Sequence, residues 1–110
     1  MNRSATRYRD VTTRELDQVT RGRRIVDVRE RDEYVGELGH LPGAELVPLG
    51  ALPSVVSDWA RETPLLLVCR SGGRSSRAAE LLVQHGFRDV LNLSGGMLAV
   101  NAAKLPVERS

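Results

Sequence analysis

The chain has 110 residues, of which 41% are hydrophobic and 27% are charged, and its formal net charge at pH 7 is +2. This length and apolar content suit one domain with one core. The small net charge and the 4% aromatic content argue against a nucleic-acid partner, and no apolar run approaches membrane-spanning length.

A single cysteine cannot form an internal disulfide, and a lone free thiol is typical of a reducing compartment. The amino-terminal stretch "MNRSATRYRD" lacks the apolar core of a signal peptide. We therefore expect a cytoplasmic protein with no membrane partner. The pattern predicts one domain over residues 6–108, preceded by a disordered segment of residues 1–5.

In the first half of the chain, short strands alternate with short helices. Residues 8–11 are predicted to be extended, and Thr12 followed by Glu15 is a capping-box start for a helix in "TTRELDQVT". "RRIVDV" is typical of a strand, and the charged "RERDEYVGE" of a short helix or turn. A second short extended piece is expected near residues 44–47.

The segment "ALPSVVSDWAR" carries Leu52, Val55, Val56 and Trp59 at helical spacing. This spacing predicts a helix that buries one face, with Trp59 in the core.

The second half is predicted to form two strands and two helices. "TPLLLVC" is apolar from Pro64 onward, as in a strand buried on both faces of a parallel sheet. In "RSSRAAELLVQHGF", Ala78, Leu81 and Leu82 form one helical stripe, and Gly86 is placed to end the helix. "DVLNL" is typical of a strand, and "SGGMLAVNAA" of a turn into a last short helix. The alternation predicts an α/β sheet with helices on both faces.

The single cysteine, Cys69, follows the buried strand, at the sheet edge where α/β proteins form their sites. Two glycines follow it closely, and their backbone freedom lets successive N–H groups point at one anion. A helix amino terminus and basic neighbours lower a cysteine pKa from about 8.5 to roughly 3.5–7.5. The sequence thus predicts a reactive thiolate in an anion cradle made by Arg70, Ser71, Gly72, Gly73, Arg74 and Ser75.

Other interpretations of these residues are weaker. A free cysteine is usually inert packing, but glycines, serines and arginines are poor neighbours for a purely apolar role. Neither G-x-x-x-x-G-K-[ST] nor G-x-G-x-x-G occurs, which argues against a nucleotide-phosphate loop. His40 is expected to hold the "GHLPGA" turn, His85 to lie at a helix end, and "SGGM" to be a tight turn, with an anion site as its alternative.

Three strings, in this order, resemble the rhodanese-like sulfurtransferases: "VDVRERDEYVGELGHLPGAELVPL", "VCRSGGRSSRAAELL" and "GFRDVLNLSGGMLA". The resemblance covers nearly the whole chain and implies a small α/β domain with a central, mostly parallel five-stranded sheet. One departure is Val100, near where the family often has Trp. The resemblance implies no cofactor and no metal, and the two histidines and one cysteine have no metal-ligand spacing.

The resemblance also implies a mechanism. The Cys69 thiolate takes the outer sulfur of a donor such as thiosulfate, forming a persulfide, and cyanide or a thiol then removes that sulfur. The six cradle residues would bind the donor, with Arg70 and Arg74 attracting its charge. Asp27 and Arg29 would lie near the same pocket, with Arg29 aiding anion binding and Asp27 supporting it.

The loop length favours sulfur transfer over phosphate ester hydrolysis. Related phosphatases have five residues between cysteine and arginine, whereas four separate Cys69 from Arg74. Two arginines suit a doubly charged donor better than mercaptopyruvate, although Ser71 replaces a cationic residue of some relatives. The alternatives are a persulfide carrier or interaction module fed by a partner, whose acceptor is a protein thiol, and an arsenate-type reductase with an external resolving thiol.

Overall fold

The computed structural model describes residues 7–110, so the predicted disorder of residues 1–5 lies outside the described residues. Ten short elements alternate along the chain. They are β1 (Arg9–Val11), α1 (Leu16–Val19), β2 (Arg24–Asp27), α2 (Arg31–Tyr34), β3 (Glu45–Leu46), α3 (Leu52–Val55), β4 (Leu65–Val68), α4 (Gly73–Gln84), β5 (Val90–Leu93) and α5 (Gly96–Ala102). Single 3-10 turns span Thr13–Glu15, Leu49–Ala51 and Val56–Asp58.

The five strands form one sheet in the order β1-β5-β4-β2-β3, and every neighbouring pair is parallel. The predicted five-stranded α/β architecture is therefore confirmed. The most apolar strand, β4, lies at the centre, and all four of its residues are buried. The residues that follow β4 therefore lie at the middle of the carboxyl edge of the sheet.

Alternate residues of the central strand enter two separate cores, one on each face of the sheet. Leu65 and Leu67 join the core covered by α3 and α4, whereas Leu66 and Val68 join the core covered by α1 and α5. Because side chains of a strand alternate between faces, a strand buried on both sides has to be apolar throughout. The expected helices on both faces are confirmed by this division.

The segment around α3 differs from its prediction. Its α-helical part lasts only one turn between two 3-10 turns, so Leu52 and Val56, one turn apart, face the sheet. Val55 was expected on the buried face but is 42% exposed. Trp59 is only partly buried, and the Arg24 guanidinium lies 3.6 Å from the centre of its ring.

The helix after the cysteine, α4, follows its prediction closely. Ala78 and Leu82 are fully buried against the sheet, Leu81 is half-buried, and Gly86 follows the helix with a φ of +94°. The helix begins at Gly73, one residue before the predicted start. Within residues 7–110, no helix combines the length and the apolar character needed to cross a membrane.

Candidate active site

Cys69 is the first residue after the central strand β4, at the carboxyl edge of the sheet, as the sequence predicts. Its side chain is only 1% exposed. The neighbouring strand β2 ends at Asp27, and β5 ends just before the turn into α5. The residues that follow three adjacent parallel strands, β2, β4 and β5, therefore lie at the same edge of the sheet.

Two hydrogen bonds cradle the sulfur of Cys69. The backbone N–H of Gly72 donates to Sγ over 3.1 Å, and the hydroxyl of Ser75 donates to Sγ over 3.3 Å. Gly72 has a φ of +113°, a backbone conformation that residues other than glycine rarely adopt. The loop backbone can therefore turn back on the cysteine and point its N–H groups at the sulfur.

The pKa of the Cys69 thiol is lowered from its ordinary value. Burial acts to raise this pKa, but the Ser75 hydroxyl and the nearby backbone N–H groups of Ser75, Gly72 and Ser71, which favour the thiolate, outweigh it. The direction agrees with the sequence-based expectation. The causes that lower the pKa are hydrogen-bond donors in the loop, whereas the sequence analysis also counted the helix amino terminus and the arginine charges.

The start of the loop is held by α5. The N–H of Met97 donates to the carbonyl of Cys69 over 2.9 Å, and the N–H of Leu98 donates to the carbonyl of Arg70 over 3.0 Å. A Cβ on Gly96 would lie 2.4 Å from the Cys69 carbonyl oxygen, so only glycine fits there. The "SGGM" segment is thus a tight turn, as expected, and the N–H of its last residue, Met97, is engaged by the loop backbone.

The two loop arginines have different surroundings. Both guanidinium nitrogens Nη1 and Nη2 of Arg74 donate to the carboxylate of Glu33 in α2, over 2.8 Å each. This partner lowers the pKa of Glu33 to about 2, so the pair is ionised at neutral pH. Arg70 is exposed, and no carboxylate among residues 7–110 lies within ion-pair distance of it. The charge of Arg74 is therefore already partnered, and that of Arg70 is available.

Arg29 and Asp27 form a buried pair beside the loop. The Nε and Nη2 atoms of Arg29 donate to the two carboxylate oxygens of Asp27 over 2.9 and 2.8 Å, and Nη2 also donates to the carbonyl of Gly39 over 2.7 Å. Arg29 is 1% exposed. The structure therefore brings both residues to the predicted edge of the sheet, with most donors of Arg29 engaged inside the protein.

A cavity of about 230 Å³ lies between α2 and the cysteine loop. Its lining includes Arg29 and Arg70 together with the carboxylates of Asp32, Glu33 and Glu37. The sequence analysis did not place Glu33 in the site. Its carboxylate contacts Arg74, 41 positions away, and no local sequence pattern indicates that contact.

The two histidines lie outside the loop. His40 is buried and stacks on the ring of Tyr34, whose backbone carbonyl lies 2.7 Å from His40 Nδ1, consistent with a role in the turn. Across the described part of the chain, no three His, Cys, Asp or Glu side chains are grouped so that they could hold a metal ion.

The fold and the site define a class of protein. A cysteine with a lowered pKa, set in a ring of N–H groups at the carboxyl end of a central parallel strand, belongs to proteins that use a thiolate nucleophile on a small anionic or sulfur-containing group.

Comparison with known proteins defines the family. The sequence model of the rhodanese-like domain matches residues 12–103. The thiosulfate sulfurtransferase GlpE of Pseudoalteromonas translucida is 34% identical over 79 residues, which cover 72% of this chain and 73% of that protein. The chain belongs to the family of rhodanese-like sulfurtransferases.

Two further comparisons agree with this family. The putative sulfur carrier protein YrkF of Bacillus subtilis is 37% identical over 73 residues, 66% of this chain but only 38% of that longer protein. The crystal structure of a rhodanese-related protein from Thermoplasma volcanium superposes with a TM-score of 0.83 at 24% identity, covering 94% of this chain and all of the other. This second likeness supports the fold.

Proposed function

We propose that the protein transfers sulfane sulfur from a thiosulfate-like donor to cyanide or a thiol through a persulfide on Cys69. The observation that carries the proposal is the cradle itself, in which a buried sulfur accepts hydrogen bonds from Gly72 and Ser75 and has a lowered pKa. A thiolate is the nucleophile that such a reaction needs. The similarity to a thiosulfate sulfurtransferase supports the choice of donor.

The first half-reaction conserves atoms and electrons without a cofactor. The thiolate sulfur of Cys69 bonds to the outer sulfur of thiosulfate, the S–S bond of the donor breaks, and its electron pair leaves with sulfite. In the second half-reaction, the acceptor attacks the outer sulfur of the persulfide and the electron pair returns to Cys69 as thiolate. The N–H groups that stabilise the thiolate are placed to stabilise negative charge on the persulfide as well.

The remaining residues take supporting roles in this proposal. Arg70 attracts the donor, since its charge is exposed and unpartnered among the described residues. Gly73 opens α4 behind the cradle, and Ser71 contributes a backbone N–H. Arg29, with Asp27 holding it, closes the inner wall of the cavity. We place the protein in the cytoplasm, where a lone thiol stays reduced.

Intact-protein mass spectrometry after brief incubation with thiosulfate tests the proposal. The wild-type protein is expected to gain the mass of one sulfur atom and to lose it when cyanide is added, whereas Cys69→Ser gains nothing and keeps its circular dichroism spectrum. Sulfur addition to Cys69→Ser would remove this cysteine from the mechanism. No addition to the wild-type protein would exclude thiosulfate as the donor.

A persulfide carrier fed by a partner protein is the second candidate, and the similarity to a putative sulfur carrier favours it. Such a carrier forms the same Cys69 persulfide but passes its sulfur only to a protein thiol. Turnover assays separate the two functions. Rapid multiple turnover with thiosulfate and cyanide indicates the enzyme, and a stable persulfide that small thiols and cyanide discharge slowly indicates the carrier.

A further inference from the structure

The ion pair between Glu33 and Arg74 restricts the charge that the cradle offers to a donor. It is bidentate, with both N···O distances at 2.8 Å, and its side chains are only 28% and 37% exposed. Bidentate arginine–carboxylate pairs of this kind hold a fixed geometry. Arg74 is therefore directed towards α2 by a partner of opposite charge.

Glu33 is itself fixed from a second side. Its Oε1 atom accepts the backbone N–H of Glu30 over 3.1 Å, which closes the first turn of α2. A carboxylate held by both a helix end and a guanidinium does not swing away when an anion approaches. The negative charge of Glu33 stays beside the cradle throughout the reaction.

The other charges around the cavity do not restore a positive field. Asp32 and Glu37 line the same cavity as Arg70, and Arg29 is neutralised by Asp27. Within residues 7–110, Arg70 is thus the one arginine of the cavity lining without a carboxylate partner, and it shares that lining with two carboxylates, Asp32 and Glu37, that add negative charge. The electrostatic contribution to binding is therefore small for a doubly charged anion. A donor with less charge at its sulfur depends less on that contribution and is affected little.

We propose that Glu33 is a specificity-determining residue that, by holding Arg74, weakens the binding of doubly charged donors and favours sulfane sulfur carried on a thiol. This inference rests on the proposed sulfur transfer, because it names the donor class of that same site. With a hydropersulfide R–S–SH, the Cys69 thiolate bonds to the terminal sulfur, the donor S–S bond breaks, and R–S⁻ leaves with the electron pair. Cys69 then carries the –SH, so charge and atoms balance.

The test compares thiosulfate with methanethiosulfonate, which presents the same sulfane sulfur with one negative charge less. In Glu33→Gln, the amide oxygen still accepts the Glu30 N–H but no longer neutralises Arg74. We expect KM for thiosulfate to fall about 5-fold to 10-fold and KM for methanethiosulfonate to fall about 2-fold to 3-fold, with kcat little changed, as the Coulomb interaction scales with donor charge. The control, Glu80→Gln, removes the same charge from the exposed side of α4 and leaves both values unchanged.

An equal change for the two donors, or a loss of kcat with both, would show that Glu33 is merely structural and would overturn the proposal. Arg74→Gln is the second variant, which keeps the proposal testable if Glu33→Gln does not fold. It leaves the carboxylate of Glu33 uncompensated, and the preference for methanethiosulfonate over thiosulfate is expected to increase.

A separate readout does not need sulfur transfer at all. Cys69 is the single cysteine, so alkylation by iodoacetate, an anion, and by iodoacetamide, which is neutral, reports the field at its sulfur. Both reagents react with the same thiolate population, so this population cancels when the rate constant for iodoacetate is divided by that for iodoacetamide. We expect this ratio to rise about 3-fold or more in Glu33→Gln. An unchanged ratio refutes the role of Glu33, whereas a raised ratio in a protein that accepts no sulfur refutes only the proposed function.

Discussion

Removal of the Ser75 hydroxyl tests how the loop activates Cys69. In Ser75→Ala the backbone N–H groups stay in place, and one of the donors that lower the pKa of the thiol is lost. A hydrogen bond to a charged group contributes about 1.5–3 kcal/mol. The hydroxyl of Ser75 lies 3.3 Å from both Cys69 Sγ and the Gly72 carbonyl, so its proton is shared and the lower end applies.

About 1.4 kcal/mol corresponds to one pKa unit, so we expect the pKa of Cys69 to rise by about one unit in Ser75→Ala. The sign follows from the charged form being the one that accepts the hydrogen bond. At a pH well below both pKa values, the thiolate population, and with it the rate of alkylation, falls about tenfold. The rise does not require any change in the fold, since Ser75 is buried and alanine fits in its place.

The assay is the rate of iodoacetamide alkylation as a function of pH, which reports the chain's one cysteine directly. Ser76→Ala is the matched control, because it deletes the same atom one residue further on, where Oγ lies 2.6 Å from the Tyr8 hydroxyl. We expect the control to titrate as the wild-type protein does. A Ser75→Ala profile that coincides with the wild-type profile would refute the part assigned to the hydroxyl.

Three further predictions concern the charges and the support of the loop. Arg70→Ala is expected to raise KM for thiosulfate several-fold at similar kcat, and an unchanged KM in steady-state assays would assign donor binding to the backbone alone. Because the pKa of Glu33 is lowered from 4.5 to about 2, its ion pair stabilises the fold above pH 4.5 and this stability is lost as the pH falls towards 2. Urea unfolding should therefore find Glu33→Gln less stable than wild type by about 1 kcal/mol at pH 7, a value discounted for partial exposure, with the gap closing near pH 2. Gly96→Ala places its Cβ against the Cys69 carbonyl and is expected to destabilise the protein by about 1–3 kcal/mol and to slow transfer at least tenfold; Gly50→Ala, with open space around its Cβ, should do neither, and equal behaviour of the two variants would contradict the argument.

The parts of the structure that the sequence predicts well are those encoded locally. The apolar run of β4 indicates that both its faces are buried, and Cys69 with the six predicted cradle residues occupies seven consecutive positions. Periodicity likewise places Ala78 and Leu82 of α4 against the sheet. In each case the signal and the structure it predicts occupy the same short stretch.

The features of the structure that the sequence did not predict depend on contacts between segments far apart in the chain. Glu33 meets Arg74 across 41 positions, and Gly96 packs on a carbonyl 27 positions before it; the spacing of neither residue signals its partner. Val55 shows the converse, since helical spacing was present but the helix is too short to bury both Val55 and Val56. In that segment the adjoining 3-10 turns, rather than the helical spacing of the sequence, decide which side chains are buried.

The loop separates two tasks that the sequence argument had merged. Activation of the thiolate comes chiefly from uncharged donors inside the cradle, Ser75 and the backbone N–H groups, which act over about 3 Å and are shielded from solvent. In the proposed mechanism, selection of the donor falls to the arginines and carboxylates at the half-exposed rim, which act over longer distances and are screened by salt. We therefore expect a change of charge at Glu33 or Arg70 to alter the preferred sulfur donor without removing the reactive state of Cys69.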